Sequence, residues 1–227
     1  QRVVPFLGAG ISKDATCKSN NKKVADTDNL IKNVAASIYK MRNAGKDDRK
    51  RWSRWCSRSS SLRKTSLDRL CEIYLWLNQD IESLVKNVLH IDEFIKLNPR
   101  PAHRYIAFLA REGLIDEVIT TNYDSCLEKA DCDTFENREP GNDEDSPARV
   151  VACLNDYREN AGRVYVSKEK SQSCLKIYKI NGCAKKFAEG NSRAESILLT
   201  ESQLQHWRQR YWARDLFRDR LRSRTIV

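Results

Sequence analysis

A short apolar run, Val3-Val4-Pro5-Phe6-Leu7, ends on Gly8-Ala9-Gly10-Ile11-Ser12, and this junction restricts the fold more than any other feature of the chain. Valine, phenylalanine and leucine in one short run favour a buried strand. Small residues directly after it permit a tight turn whose amide N–H groups can approach a phosphate closely. Lys13 stands where a full G-x-G-x-x-G pattern has its third glycine, so the turn taken alone is equally an ordinary strand-to-helix connection.

Downstream, apolar positions recur at three-to-four spacing in Leu30, Ile31, Val34, Ile38 and Met41, in Leu67, Leu70, Tyr74 and Leu77, and in Ile81, Leu84, Val85, Val88 and Leu89. This spacing predicts three amphipathic helices. Pro99 and Pro101 punctuate before a further helix, with Gly113 where its C-terminal cap belongs. Strands are expected at 115–121, 150–154, 163–166, 175–180 and, shorter, at 197–199. A short helix is expected at 125–130. Thr200 and Gln203 fit a capping box opening a helix that runs through Trp207, Tyr211, Leu216 and Phe217 to a terminal strand. Strands alternating with helices indicate an α/β fold: a Rossmann-like parallel sheet flanked by helices, with a helical and basic insertion at about 28–98 after the first strand. The chain is expected to be one domain over 1–227, continuing beyond both ends, because it opens on Gln1-Arg2-Val3 without Met and stops on Thr225-Ile226-Val227.

The 227 residues carry a net charge of +10, concentrated in two places. Residues 40–69 hold eleven Lys/Arg against three Asp/Glu, and 201–224 hold seven against three. In the first block Trp52 and Trp55 interleave with Arg49, Arg51, Arg54 and Arg58. That composition suits stacking and phosphate contact with a nucleic acid, or simply a solvated face. Residues 131–149 reverse the sign, with seven acidic residues against two basic around Pro140-Gly141-Asn142, and are expected to form an exposed loop. No run reaches the roughly 20 apolar residues that span a bilayer, so no membrane role is expected. The eight cysteines contain no C-x-x-C pair, so the two knuckles of a zinc ribbon are missing and no metal is expected. They read as reduced thiols of a cytoplasmic protein, with Cys126 and Cys183 close enough to the motifs to meet in the fold.

Three segments put unusual residues where strands end, which in an open α/β sheet is where ligands bind. The first is Gly8 to Ser12. The second is Thr120-Thr121-Asn122-Tyr123-Asp124, a neutral amide and a carboxylate two residues apart. The third is Lys179-Ile180-Asn181-Gly182-Cys183. The second and third, each taken alone, read equally as an Asx turn capping the next element; the three together, in this order, are far more specific.

G-A-G-I-S, T-T-N-Y-D and K-I-N-G, with Pro101-Ala102-His103 and Leu199-Thr200-Glu201 in support, resemble the sirtuin-like superfamily, whose forms are GAG-x-S, T-x-N-x-D and a Lys-x-His-Gly strand end. The resemblance implies a Rossmann-like domain that takes NAD+ as substrate and cleaves the nicotinamide–ribose bond. By it, Gly8, Ala9, Gly10, Ile11 and Ser12, with Thr121 and Gly182, would line the dinucleotide. Asn122 would orient the ribose or the attacking water, Asp124 would hold the nicotinamide amide, and His103 would be structural rather than a base.

The missing zinc knuckles set the chain apart from protein-deacylating members and toward the zinc-free prokaryotic branch that depletes NAD+ in anti-phage defence. For that branch a homo-oligomer is implied, with a fused or assembled sensor such as a HerA-type or STAND ATPase or an Argonaute-like module. Asn181 occupies the position of the family's catalytic histidine. An asparagine is no general base at neutral pH, which leaves open a histidine-free hydrolase, a substituted active enzyme, or an inactive domain that binds NAD or ADP-ribose for regulation or assembly.

Overall fold

The computed structural model describes residues 3–17, 27–42, 65–134, 148–160, 175–206 and 209–227. The Arg/Trp block at 49–58, most of the acidic loop and the strand expected at 163–166 lie outside them. Six short strands, all paired in parallel, form the centre: β1 (Val3–Val4), β2 (Phe6–Leu7), β3 (Glu117–Thr120), β4 (Arg149–Val151), β5 (Lys176–Lys179) and β6 (Thr225–Ile226). β1 and β2 are one extended line interrupted at Pro5, which has no N–H to give a ladder; its carbonyl still accepts from Ile119 N at 3.0 Å. β6 pairs with β1, and β2, β3, β5 and β4 follow in that order.

The middle of the sheet is buried on both sides, as parallel strands served by crossover helices must be. Val118 and Ile177 pack on one face with Ala110, Ile115, Leu127 and Leu175. Ile119 and Tyr178, one residue further along each strand and therefore on the opposite face, pack with Val4, Val151, Trp212 and Leu216. The helices that cover these faces include α4 (Pro101–Arg111), α5 (Cys126–Asp133) and α9 (Tyr211–Ser223).

The predicted insertion helices form as α1 (Thr27–Arg42), α2 (Leu67–Asn78) and α3 (Ile81–Ser83), the last widening directly into a π-helical turn over Leu84–Val88. A 3-10 helix, Ile91–Lys96, leads back toward α4. Val34, Leu70, Tyr74, Leu84 and Val85 bury against one another and against Phe187, Ile197 and Leu199. This helical cap therefore has its own core, which also receives residues from the C-terminal half. The remaining helices are α6 (Leu154–Asn160), α7 (Ala184–Ala188) and α8 (Glu201–Gln205). Among the described residues no helix is long and apolar enough to cross a membrane.

Two expectations are corrected. Residues 197–199 are extended and buried but form no strand: Leu198 N donates to Asn181 O at 2.8 Å, and Leu198 O accepts from the Tyr123 hydroxyl at 2.6 Å. The site loops thus take both backbone groups of Leu198, while Leu199 N donates to Gln203 Oε1 at 2.8 Å, so no neighbouring strand is paired. The helix expected to run unbroken from Thr200 through Phe217 is two helices. α8 ends at Gln205, and α9 restarts after Arg210, whose guanidinium is turned onto the carbonyls of Ile180 and Ser196.

Candidate functional site

The carboxyl ends of β2, β3 and β5 lie side by side, so the three motif segments emerge at one edge of the sheet. After β2, Gly8 stays extended and Ala9–Ser12 turns as a 3-10 helix closed by Ile11 N to Gly8 O at 3.2 Å. A Cβ on Gly10 would meet no protein atom within 4 Å, so this glycine keeps open space in front of the turn rather than relieving a clash. Gly182 is different. Its φ is +114°, and a Cβ would lie 2.8 Å from Ile197 Cδ1 and 2.9 Å from Ser196 O; only glycine fits there.

Ser12 Oγ joins the first and second segments. It donates to Asp124 Oδ2 at 2.9 Å, accepts from Asn122 Nδ2 at 3.1 Å, and lies 3.1 Å from His103 Nε2. Asp124 Oδ1 accepts from Cys126 N at 3.0 Å, which closes the first turn of α5. The loop is also anchored through its backbone. Thr120 Oγ1 donates to Leu7 O and accepts from Asn122 N, both at 3.1 Å.

Below it, fully buried Lys179 gives its ammonium to Asp124 O at 2.5 Å, beside Glu128 Oε1 at 2.5 Å and Cys183 Sγ at 3.7 Å. Burial works against this ammonium, but Cys183, Glu128 and Asp124 outweigh it and hold Lys179 above the usual lysine range. Tyr123, between the two polar motif residues, packs partly buried against the core of the helical cap. Its hydroxyl holds Leu198 O and its carbonyl accepts from Ala184 N at 3.0 Å, tying the second segment to the third. Burial raises its phenol well above the ordinary tyrosine range.

These residues border a cavity of about 520 Å³, a size suited to a substantial organic ligand. Ala9, Gly10, Ser12, Thr121, Asn122, Asp124 and Asn181, all expected at the site, line it. Gly8, Ile11 and Gly182 shape the turns behind it without lining it. Facing the polar wall is an apolar one from the cap and its connections, made by Ala15, Leu30, Leu67, Phe94 and Leu97. Those side chains, and Lys13, Thr27 and Asp28 at the same cavity, were not expected there. Leu30 and Leu67 carry the helical periodicity of any core residue, and nothing in that signal separates a core wall from a cavity wall. The Asn181 carboxamide makes no hydrogen bond to another described residue, and neither does Asn122 Oδ1. Both are therefore available to a ligand.

His103, Asp124 and Cys126 bring a ring nitrogen, a carboxylate oxygen and a thiol within 4.8 Å of one another. Each is already used within the protein. Both His103 nitrogens and both Asp124 oxygens have hydrogen-bond partners, and Cys126 Sγ lies 3.7 Å from Asn98 O. Burial, reinforced by Asp124, pushes the Cys126 thiol well above its ordinary range. Cys126 and Cys183 are both free, and each faces a different partner.

No curated protein matches the chain. Residues 116–227, from the start of the central strand through the second and third motif segments to the last residue, match the family model described as SIR2-like domain, a domain consistent with an NAD-related function. With G-A-G-I-S brought onto T-T-N-Y-D at one cavity, this match supports assigning the chain to the sirtuin-like superfamily.

Proposed function

We propose that the chain is an NAD+ hydrolase that cleaves the bond between nicotinamide and ribose. The observation that carries the reading is the convergence of Ser12, Asn122, Asp124 and Asn181 on one wall of a cavity at the carboxyl edge of the sheet, opposite an apolar wall suited to a flat ring. Breaking this bond releases neutral nicotinamide from a cationic pyridinium, so the leaving group needs no acid. The ribose carbon becomes positive as the bond lengthens, and negative or acceptor groups fixed nearby favour that change. Asp124 supplies a carboxylate and Asn122 Oδ1 an acceptor that can orient a hydroxyl or a water. Asn181 supplies a hydrogen-bonding amide where the family has a histidine, which predicts slow turnover. A missing general base costs about a hundred- to ten-thousand-fold.

The direct test is nicotinamide release from NAD+ by the unaltered chain, beside Asn122→Ala and Asn181→His. Release that Asn122→Ala abolishes and Asn181→His accelerates supports the reading. Saturable binding of NAD+ without release supports the second reading, favoured by Asn181 itself: a domain that holds NAD or ADP-ribose for regulation or assembly. A role in depleting NAD+ during anti-phage defence, self-association and a sensor partner are supported by the resemblance to the zinc-free prokaryotic branch. They belong to this proposal.

A further inference from the structure

His103 is fully buried in the first turn of α4, and its two ring nitrogens are not equivalent. Nδ1 lies 3.0 Å from the backbone N of Arg100. A backbone N–H can only donate, so Nδ1 must be the unprotonated nitrogen, and in the neutral ring the proton sits on Nε2. Nε2 faces Ser12 Oγ at 3.1 Å and therefore donates to it. A hydroxyl offers one donor and two acceptor positions. With one acceptor position filled by His103 and the other by Asn122 Nδ2, the Ser12 proton is directed to Asp124 Oδ2. Asn122, in turn, is held with its NH2 toward Ser12 and its Oδ1 left for whatever occupies the cavity.

We infer that His103 is a positioning residue for this site: it sets the direction of every hydrogen bond from the Arg100 backbone through Ser12 to Asn122 and Asp124, and with it the face Asn122 offers to substrate. It cannot serve as the base that Asn181 fails to provide, because neither ring nitrogen has a free lone pair. Acid is expected to disrupt the arrangement. Protonation would put a second donor at Nδ1 against the Arg100 N–H. The charged and titratable groups around the ring are the Asp124 carboxylate, the Cys126 thiol and the Arg100 guanidinium. Burial, opposed by Asp124, holds the ring below its ordinary 6.5. The neutral ring is thus the folded form at neutral pH.

The inference rests on the reading of the cavity as an NAD+ site only for its turnover test; its tautomer test does not. The full chain has three histidines, so nitrogen-15 ring correlations at pH 7.5 can be assigned by the loss of one set in His103→Gln. An unprotonated Nδ1 and a protonated Nε2 are expected, and a protonated Nδ1 overturns the inference. Glutamine at this place in the helix can still accept from the Arg100 N–H in capping-box fashion but carries no titrating ring. Nicotinamide release by His103→Gln should fall roughly ten- to a hundred-fold in kcat with little change in KM, as expected for misplaced groups. The acid limb of the wild-type pH profile, below about pH 6.5, should disappear. Full turnover in the variant, or an acid limb that survives, also overturns it. If no form of the chain releases nicotinamide, the hydrolase reading fails, and the tautomer measurement alone decides the role of His103.

Discussion

At Gly182 the backbone has φ +114°, and the space a side chain would need is taken by Ser196 O and the backbone of Ile197. Ile197 Cδ1 could swing aside; the carbonyl and Cα could not. Gly182→Ala is therefore expected to cost at least about 2 kcal/mol, combining the conformational strain with the clash. Because Asn181 O is bonded to Leu198 N, the same change should displace Asn181. A lowered urea midpoint with an unchanged slope checks the first effect, and an unchanged midpoint refutes it. Lys179 allows a test of a different kind. Its ammonium is buried with Glu128, so Lys179→Met strands a carboxylate and should cost about 3–5 kcal/mol. Lys179→Met with Glu128→Leu removes both charges and should recover much of that loss, since an apolar pair of similar volume is often as stable as a buried ion pair. If the double variant is no more stable than the single, the cost came from lost packing and not from an unpaired charge.

Among the elements, α8 was legible in full at its start: Thr200 Oγ1 accepts from Gln203 N at 3.1 Å and Gln203 Oε1 accepts from Thr200 N at 3.1 Å. Thr200→Ala should cost about 1 kcal/mol, read as a shift of the denaturation midpoint; no shift would mean the cap contributes nothing in this context. The glycine turn, β3 and β5 were equally readable, because buried parallel strands are short apolar runs bounded by turn residues. What was not readable depends on distant partners. Residues 197–199 have the composition of a strand, but Tyr123 and Asn181, far apart in sequence, take the hydrogen bonds of Leu198. The break before Tyr211 has no glycine or proline to announce it, and Arg210 is held instead by Ile180 and Ser196. The site followed the same division. Ser12, Asn122, Asp124 and Asn181 stood out as polar residues at strand ends. The part played by His103 depends on which atom faces which nitrogen, information that spacing does not carry.

Across the whole molecule, the cavity is lined by both the carboxyl edge of the sheet and the helical cap, so a ligand filling it would touch both. The two parts are already joined beneath it, where buried Lys129 donates to Ile95 O at 2.6 Å and Leu97 O at 3.1 Å, and Phe94 packs edge-on to Tyr123. A ligand that bridges the walls should therefore stabilise the chain as a unit. At a hundred times its Kd it adds about 2.7 kcal/mol, roughly 5–10 °C in Tm for a chain of this length. ADP-ribose is the better probe than NAD+, since it cannot be turned over. Ser12→Ala should reduce its shift, because losing Ser12 releases both Asn122 and Asp124. Asn122→Ala separates binding from chemistry: a Tm shift that persists while nicotinamide release is lost places Asn122 at the reacting bond, whereas loss of both makes it a binding residue. No shift with either ligand at millimolar concentration would mean the cavity holds something other than an adenine dinucleotide, and both functional readings would fall together.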